Sequence, residues 1–376
     1  MPKLLYIVAE DWFFVSHFLP MARAARECGF EVAIATRVRR EAERLNAEGF
    51  RVIAVEVERG SLSVARLLAE FTQTRRIVRA ESPDIVHCIA LRSIVIGGLA
   101  ARLGGAKALV LAPTGLGHLW FDRGLATGLL RAGVRMLIGS WLNGQRTRYL
   151  FENEDDARAL GLNPTGSDVT LVGGAGVDPA QFAVTAEPPA PPVKIAVVAR
   201  MIRPKGIAEA VEAVTRARRL GSPVELSLFG RPDPSNPLSI PEETLRRWSA
   251  QPGIAWYGHS ADIAKVWGDH HIALFLSSYP EGLPRTLVEA AAAGRPIVTA
   301  DAPGCREVVR DGIEGLLVPP GDVEAAAQAL VRLASDPALR ARMGAAANAR
   351  FYERFTEAAV QQTVKTLYRS LVHFSD

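Results

Sequence analysis

The sequence predicts an α/β protein made of two doubly wound, parallel-sheet domains, and three observations predict it. The chain has 376 residues, more than one hydrophobic core comfortably organises, so two domains of roughly 180 residues each are expected. Short apolar or β-branched runs alternate with helix-patterned segments in two successive series, and such alternation implies parallel strands covered on both faces. Between the series lies Glu187-Pro-Pro-Ala-Pro-Pro192, with four prolines in six residues. Neither a helix nor a central strand accommodates that composition. The expected organisation is therefore a first domain over 1–185, a linker over 186–193, a second domain over 194–355 and a terminal helix over 356–376.

In the first series, the strand-like runs are Leu4 to Val8, Glu31 to Ala35, Val52 to Val55, Ile85 to His87 and Ala108 to Leu111. The second begins with Lys194 to Ala199, continues through the helix-patterned Ile207 to Leu220 and reaches about Val318. Within it, Ile272 to Leu276 is short and apolar, and Pro296-Ile-Val-Thr299 is β-branched. Between these two runs, Pro284 suits a first helical position because its φ is already helical and its missing N–H costs nothing there. Gly294 supplies the residue that helix ends favour for a left-handed conformation. Asp322 and Asp336-Pro337 mark the starts of two later helices, and Thr356 would cap the last.

The segment Tyr279-Pro-Glu281-Gly-Leu-Pro284-Arg-Thr-Leu-Val-Glu289 is the most informative in the chain. It places Glu281 in a strand-to-helix loop, where the backbone N–H groups of Gly282, Leu283 and Arg285 would join the positive end of the helix dipole as an anion pocket. A carboxylate beside an anion is a poor anion ligand but a good acceptor for hydroxyls attached to that anion, and a phosphorylated sugar has both. Glu289, about one and a half turns into the helix, could take a second diol. Taken alone, Glu-x7-Glu also suits a capping acid and a surface glutamate. Upstream, the strand-like run ending at Ala199 leads into Arg200-Met-Ile-Arg203-Pro-Lys205-Gly206, where cations meet a glycine that opens a helix. That suits a diphosphate, although a solvated basic turn would look the same.

Together these two elements resemble glycosyltransferase family 4, whose C-terminal domain carries an Arg-x4-Lys-Gly segment and a Glu-x7-Glu segment. Gly176-Val-Asp178 with Phe182 resembles the stretch that closes the family's N-terminal domain. Gly304-Cys-Arg-Glu307 and Asp311-Gly-Ile-Glu-Gly315 resemble its later C-terminal signature. The four matches span residues 176 to 320 in the family's order. In the first half, His17-Phe-Leu-Pro and Thr114-Gly-Leu-Gly117-His-Leu-Trp120 followed by Arg123-Gly124 resemble a bacterial branch that elongates lipid-linked glycans. The resemblance implies the GT-B fold, with two facing domains and a last helix that crosses back to the first. It implies a nucleotide-sugar donor, a UDP-sugar in that branch, a glycan or polyprenyl-linked acceptor, and retention of anomeric configuration.

On this reading Arg200 and Lys205 meet the charge that grows on the leaving diphosphate, Glu281 holds sugar hydroxyls, and Glu289 holds the ribose diol. Gly282, Leu283 and Arg285 complete the donor site. The family usually has glycine where this chain has Pro284, so the loop has one N–H fewer. No Asp-x-Asp occurs in the sequence, which fits protein cations in place of a divalent metal, and no cofactor is expected. Asp11, His17, Gly117 and His118 are the candidates on the acceptor side, the histidines being equally suited to structural roles.

Composition limits the remaining classes. Cys28, Cys88 and Cys305 are far apart and form no Cys-x-x-Cys pair, which argues against a disulfide framework or thiolate zinc site and for a reducing compartment, the cytoplasm. No apolar run approaches the length of a membrane span. From Arg123 to Arg148 there are five arginines and no acid, interleaved with leucines and Trp141. A stretch of that kind can lie on an anionic inner membrane face or pack as an ordinary domain helix. Residues 1 to 28 contain no glycine, so the first strand cannot lead into the Gly-x-Gly-x-x-Gly of a dehydrogenase. Nucleic-acid binding lacks a concentrated basic face. A nucleotide-sugar epimerase and a non-catalytic nucleotide-sugar-binding module remain open, because both would keep the same pocket.

Overall fold

A computed structural model describes residues 1–56, 63–121, 124–234 and 236–372. The chain divides into two compact units, one formed by Met1–Gly176 with Glu357–Asp376 and the other by Val177–Thr356.

In the first unit the strands are β1 (Lys3–Glu10), β2 (Glu31–Arg37), β3 (Arg51–Ala54), β4 (Ile85–Ile89), β5 (Ala108–Ala112), β6 (Thr147–Phe151) and β7 (Val169–Leu171). They form one sheet in the order β3-β2-β1-β4-β5-β6-β7, and every pairing is parallel. Strands buried on both faces read as continuous apolar runs, and all five residues of β4 and of β5 are buried. Along β1, Leu4, Tyr6 and Val8 enter one core while Leu5 and Ile7 enter the other, as the two-residue period of a strand requires. The last helix, Glu357–Arg369, belongs to this unit and buries Val360, Val364, Leu367 and Tyr368 in the first core. Its Tyr368 hydroxyl lies 2.7 Å from that of Tyr6 and 2.8 Å from His87 Nδ1. The expected return of the terminal helix to the first domain is thus observed, with a buried polar contact fixing its register.

The second unit contains β8 (Val193–Val198), β9 (Val224–Phe229), β10 (Ile254–Gly258), β11 (Ile272–Phe275), β12 (Ile297–Ala300) and β13 (Gly315–Val318). Their order is β10-β9-β8-β11-β12-β13, again all parallel. In both units the winding reverses at one pair of neighbours, β1/β4 and β8/β11. Open α/β sheets bind their ligands in the crevice outside the strand C-termini at such a point. Helix starts at Asp322 and Asp336 form as expected, each side chain accepting a first-turn N–H, from Ala325 at 2.9 Å and from Leu339 at 2.8 Å.

Two expectations need correction. Residues 186–193 do not join the units. The chain passes between them at Gly176/Val177, and the proline-rich stretch is strapped to the second unit. Glu187 pairs with the buried guanidinium of Arg340 at 2.8 Å, His271 Nε2 donates to Pro188 O at 3.0 Å, and Arg295 Nη2 donates to Thr185 Oγ1 at 2.6 Å. Prolines end secondary structure, but their carbonyls still accept hydrogen bonds, so low regularity does not mean a free linker. The second correction is a shift of one position. Pro284 is the cap, with φ −67° and ψ 107°, and the helix runs Arg285–Ala292.

Candidate active site

The loops that carry Arg200, Lys205 and Glu281 follow β8 and β11, which are neighbours in the second sheet. The loop after β8 ends in a 3-10 turn, Arg203–Lys205, and Gly206 with φ +72°. A Cβ at Gly206 would lie 2.2 Å from the carbonyl oxygen of Leu276, so only glycine lets this loop seat directly on the end of β11. Ser277 Oγ and the Ser278 N–H both approach Pro204 O, at 3.1 and 3.2 Å, and join the two loops.

Lys205 and Glu281 meet at this junction. Lys205 Nζ is 2.5 Å from Glu281 Oε2, and each side chain is about 15% exposed. Ser277 Oγ lies 2.9 Å from the other oxygen, Glu281 Oε1, and Lys205 Nζ sits 5.4 Å from the centroid of the Phe275 ring. The Glu281 loop is supported from behind by Gly304, where a Cβ would come within 2.4 Å of Gly282 O and 2.8 Å of Glu281 O. The family-like glycine of the later signature therefore serves the first glutamate by letting a second loop pack against its backbone.

Arg200 is anchored differently. A Cβ at Gly230, φ +144°, would fall 1.8 Å from Ala199 O, so the segment after β9 lies against the start of the Arg200 loop. Backbone bonds continue the contact, from Met201 N to Arg231 O at 3.0 Å, Arg203 N to Leu238 O at 2.9 Å and Ile240 N to Met201 O at 2.8 Å. The guanidinium of Arg200 donates to Asp233 Oδ2 at 3.1 Å and is more than half exposed.

Beyond the loop, Glu289 accepts from Arg285 Nε at 2.8 Å. Burial raises its pKa above the ordinary value, and the Arg285 guanidinium opposes that shift. Pro284 and Gly282 are buried, Leu283 is half-buried and Arg285 is exposed. The hydroxyl of Thr286, in the helix's first turn, is buried without a hydrogen-bond partner among the described residues. An ammonium thus stands on the Glu281 carboxylate in the loop before a helix N-terminus, with the Arg200 guanidinium held on Asp233 in the loop after the neighbouring strand, an arrangement able to take a diphosphate on the cations and hydroxyls on the carboxylate.

The residues expected on the acceptor side have separate surroundings where they are described. Asp11 is fully buried. Its Oδ2 accepts the backbone N–H groups of Arg39, Arg40 and Glu41 at 2.6, 2.9 and 3.0 Å, and its Oδ1 that of Trp12 at 2.7 Å. Burial is the largest single influence and pushes its pKa up, but the four backbone bonds together outweigh it and hold the pKa below the usual value. This carboxylate is a loop anchor with no face left for a ligand, and the expectation for it is corrected. His17 ends the helix Asp11–His17, with its ring stacked on Phe13 at 4.5 Å and Nδ1 2.6 Å from Ser16 Oγ. Gly117, φ +60°, precedes the short helix His118–Phe121. The His118 side chain lies outside the described residues, as does Arg123. Ser277 and Asp233 were not singled out from sequence. The pair Ser277-Ser278 directly after an apolar strand was the available signal for the first, and nothing local marked the second.

Two family models match the chain, glycosyl transferases group 1 over residues 192–336 and glycosyl transferase 4-like over residues 3–140. The chain is a glycosyltransferase, with a glycosyl transferase 4-like region followed by a glycosyl transferases group 1 region. Among relatives of this transferase, the N,N'-diacetylbacillosaminyl-diphospho-undecaprenol alpha-1,3-N-acetylgalactosaminyltransferase of Campylobacter jejuni is 25% identical, over 87% of this chain and 88% of its own. The putative glycosyltransferase EpsD of Bacillus subtilis is 24% identical over 97% and 96%. Solved structures agree on the fold. A glycosyltransferase from Rickettsia africae superimposes with a TM-score of 0.78 at 17% identity, covering 100% of this chain and 99% of its own. Anabaena Alr3699/HepE in complex with UDP-glucose gives 0.74 at 16%, covering 98% and 100%. The expected GT-B class is thereby established for this transferase, and the Arg200–Gly206 and Tyr279–Glu289 segments fall within the region matched by the group 1 model.

Proposed function

We propose that this transferase moves a hexose or N-acetylhexosamine from a UDP-sugar to a polyprenyl-diphosphate-linked glycan during bacterial polysaccharide assembly, with retention and without a divalent metal. The observation that carries the reading is the Lys205–Glu281 pair at the β8/β11 switch point, where one cation and one carboxylate stand within bonding distance of each other. A nucleotide-sugar needs both at that separation, because its diphosphate and its sugar hydroxyls are only a few bonds apart. Breaking the anomeric bond builds charge on the leaving diphosphate, and Lys205 with Arg200 would stabilise that charge in a site partly shielded from water. The same two cations would serve where a metal serves other transferases. Two comparisons support the choice of substrates, the UDP-glucose bound to Alr3699/HepE and the diphospho-undecaprenol acceptor in the name of the Campylobacter relative.

The reading includes docking on an anionic membrane face. The helix Leu125–Met136 exposes Leu125, Leu129, Leu130 and Met136, and the following turn exposes Trp141. Arg131 and Arg135 lie on the same helix, and apolar residues flanked by arginine suit an anionic bilayer surface. Among the described residues no helix is long and apolar enough to cross a membrane.

The test is an assay with EDTA present, in which a labelled UDP-sugar is offered with and without a short polyprenyl-diphosphate-linked sugar, and the product linkage is assigned by NMR. Transfer to the lipid-linked acceptor with the donor's anomeric configuration supports the proposal. Conversion of the donor alone would indicate an epimerase, and binding without turnover a sugar-nucleotide-binding module.

A further inference from the structure

The structure assigns a second anion site, at the edge of the first sheet, to the loop that Asp11 pins, and we infer that it takes the diphosphate of a prenyl diphosphate. This inference rests on the acceptor class proposed above and names the residues that would recognise it. The buried Asp11 carboxylate spends all four of its described hydrogen bonds on backbone, three on the segment after β2 and one on Trp12. A buried charge survives only when its hydrogen bonds are this complete. What it holds in place is Val38-Arg39-Arg40, all three exposed. Arg37 is engaged by Glu10 at 3.6 Å and Arg44 by Glu41 at 3.7 Å. Among the described residues, the guanidinium groups of Arg39 and Arg40 have no acidic partner.

Two unpaired guanidinium groups on a fixed backbone form a ready anion site, since each fork can take a phosphate by paired hydrogen bonds. Their position is the C-terminal edge of β2, next to β1 and its switch point with β4, where open α/β sheets place ligands. The neighbours identify the rest of the ligand. Trp12, anchored to the same carboxylate, is 44% exposed and Val38 is 41% exposed. A compact anion attached to an apolar chain suits two guanidinium groups on a segment that exposes Val38 and is tied through the Asp11 carboxylate to the exposed Trp12.

The test is calorimetric titration of the whole protein with geranyl diphosphate in saturating UDP, so that the donor site is filled, together with UDP alone and with phosphatidylglycerol vesicles free of prenyl diphosphate. Arg39→Gln/Arg40→Gln should weaken geranyl diphosphate binding by about tenfold or more, the loss expected for charged hydrogen bonds. It should keep its melting temperature, its UDP affinity and its vesicle binding. Arg39→Lys/Arg40→Lys should recover part of the affinity, because point charges remain while the forks are lost. Geranyl diphosphate binding that is unaffected in the glutamine pair, or absent from the wild type when UDP binds, overturns the inference and leaves the proposed function standing. A loss confined to vesicle binding also overturns it and reassigns the arginines to a lipid surface. Failure of UDP itself to bind is a separate result, which removes the proposed function.

Discussion

Replacing Lys205 with alanine separates the two roles its ammonium has in this account. In the free protein it neutralises Glu281 at 2.5 Å, with both side chains about 15% exposed. Exposed pairs contribute about 0–1 kcal/mol, and breaking a fully buried pair costs about 3–5 kcal/mol. A pair of this intermediate burial should therefore cost about 1–3 kcal/mol of stability when broken, softened because Ser277 still bonds the carboxylate. During turnover the same ammonium would face the leaving diphosphate, and removing one such stabilising group costs about 2–4 kcal/mol of barrier, or about 30- to 1000-fold in kcat. The assay pairs thermal unfolding with donor kinetics and nucleotide affinity. A double-mutant cycle with Glu281→Ala isolates the structural part, because that coupling appears in stability whether or not donor is present. Wild-type kcat in a folded Lys205→Ala protein would refute the reasoning. A kinetic loss no larger than the fraction unfolded would do the same.

Glu281→Ala should abolish turnover while circular dichroism shows an intact fold, and measurable wild-type turnover would remove the carboxylate from the mechanism. Gly206→Ala should lower the melting temperature, because it forces a Cβ to 2.2 Å from Leu276 O at φ +72°, a strain of about 1–3 kcal/mol or more; an unchanged melting temperature would contradict the close seating of the two loops. Asp156 is buried, and desolvation pushes its pKa up to about 7 from 3.8. Its folded pKa is the higher one, so its stability contribution is fully present below about 4 and is lost as pH rises through about 7. The melting-temperature gain of Asp156→Asn should therefore grow between those limits and level off above them, and a pH-independent difference would refute the shift. Liposome flotation of the wild type should increase with anionic lipid content and fall in Leu129→Asp/Leu130→Asp, whereas indifference to both would count against membrane docking.

In the second sheet the runs Lys194 to Ala199, Ile272 to Leu276 and Pro296 to Thr299 were legible because buried parallel strands are continuous apolar runs, and they fall on observed strands within a residue or two, whereas β9 and β10 were not singled out. In the first sheet, β6 and β7 escaped detection. Arg148 interrupts the apolar run of β6, and β7 has only three residues, Val169–Leu171, all partly exposed. Lys205 and Glu281 could be brought together from the sequence because each follows a strand end and precedes a helix start. Asp233 could not, because its contact with Arg200 joins residues 33 apart through a loop whose path depends on Gly230. Asp11 was misread for a related reason. Its place at the end of β1 resembled that of a ligand-facing acid, but the sequence contains no sign that backbone from the next βα loop would enclose it. The proline run showed where regular structure stops but carried no information about Arg340 and His271, which hold it.

The most direct test of the central claim is an isothermal titration of the protein with UDP in EDTA, repeated with Lys205→Ala and with NAD as a control ligand. The account predicts saturable UDP binding without metal, affinity about tenfold or more weaker in the variant, and no response to NAD. UDP binding that requires a divalent cation, binding equal in the variant, or no UDP binding at all would contradict it.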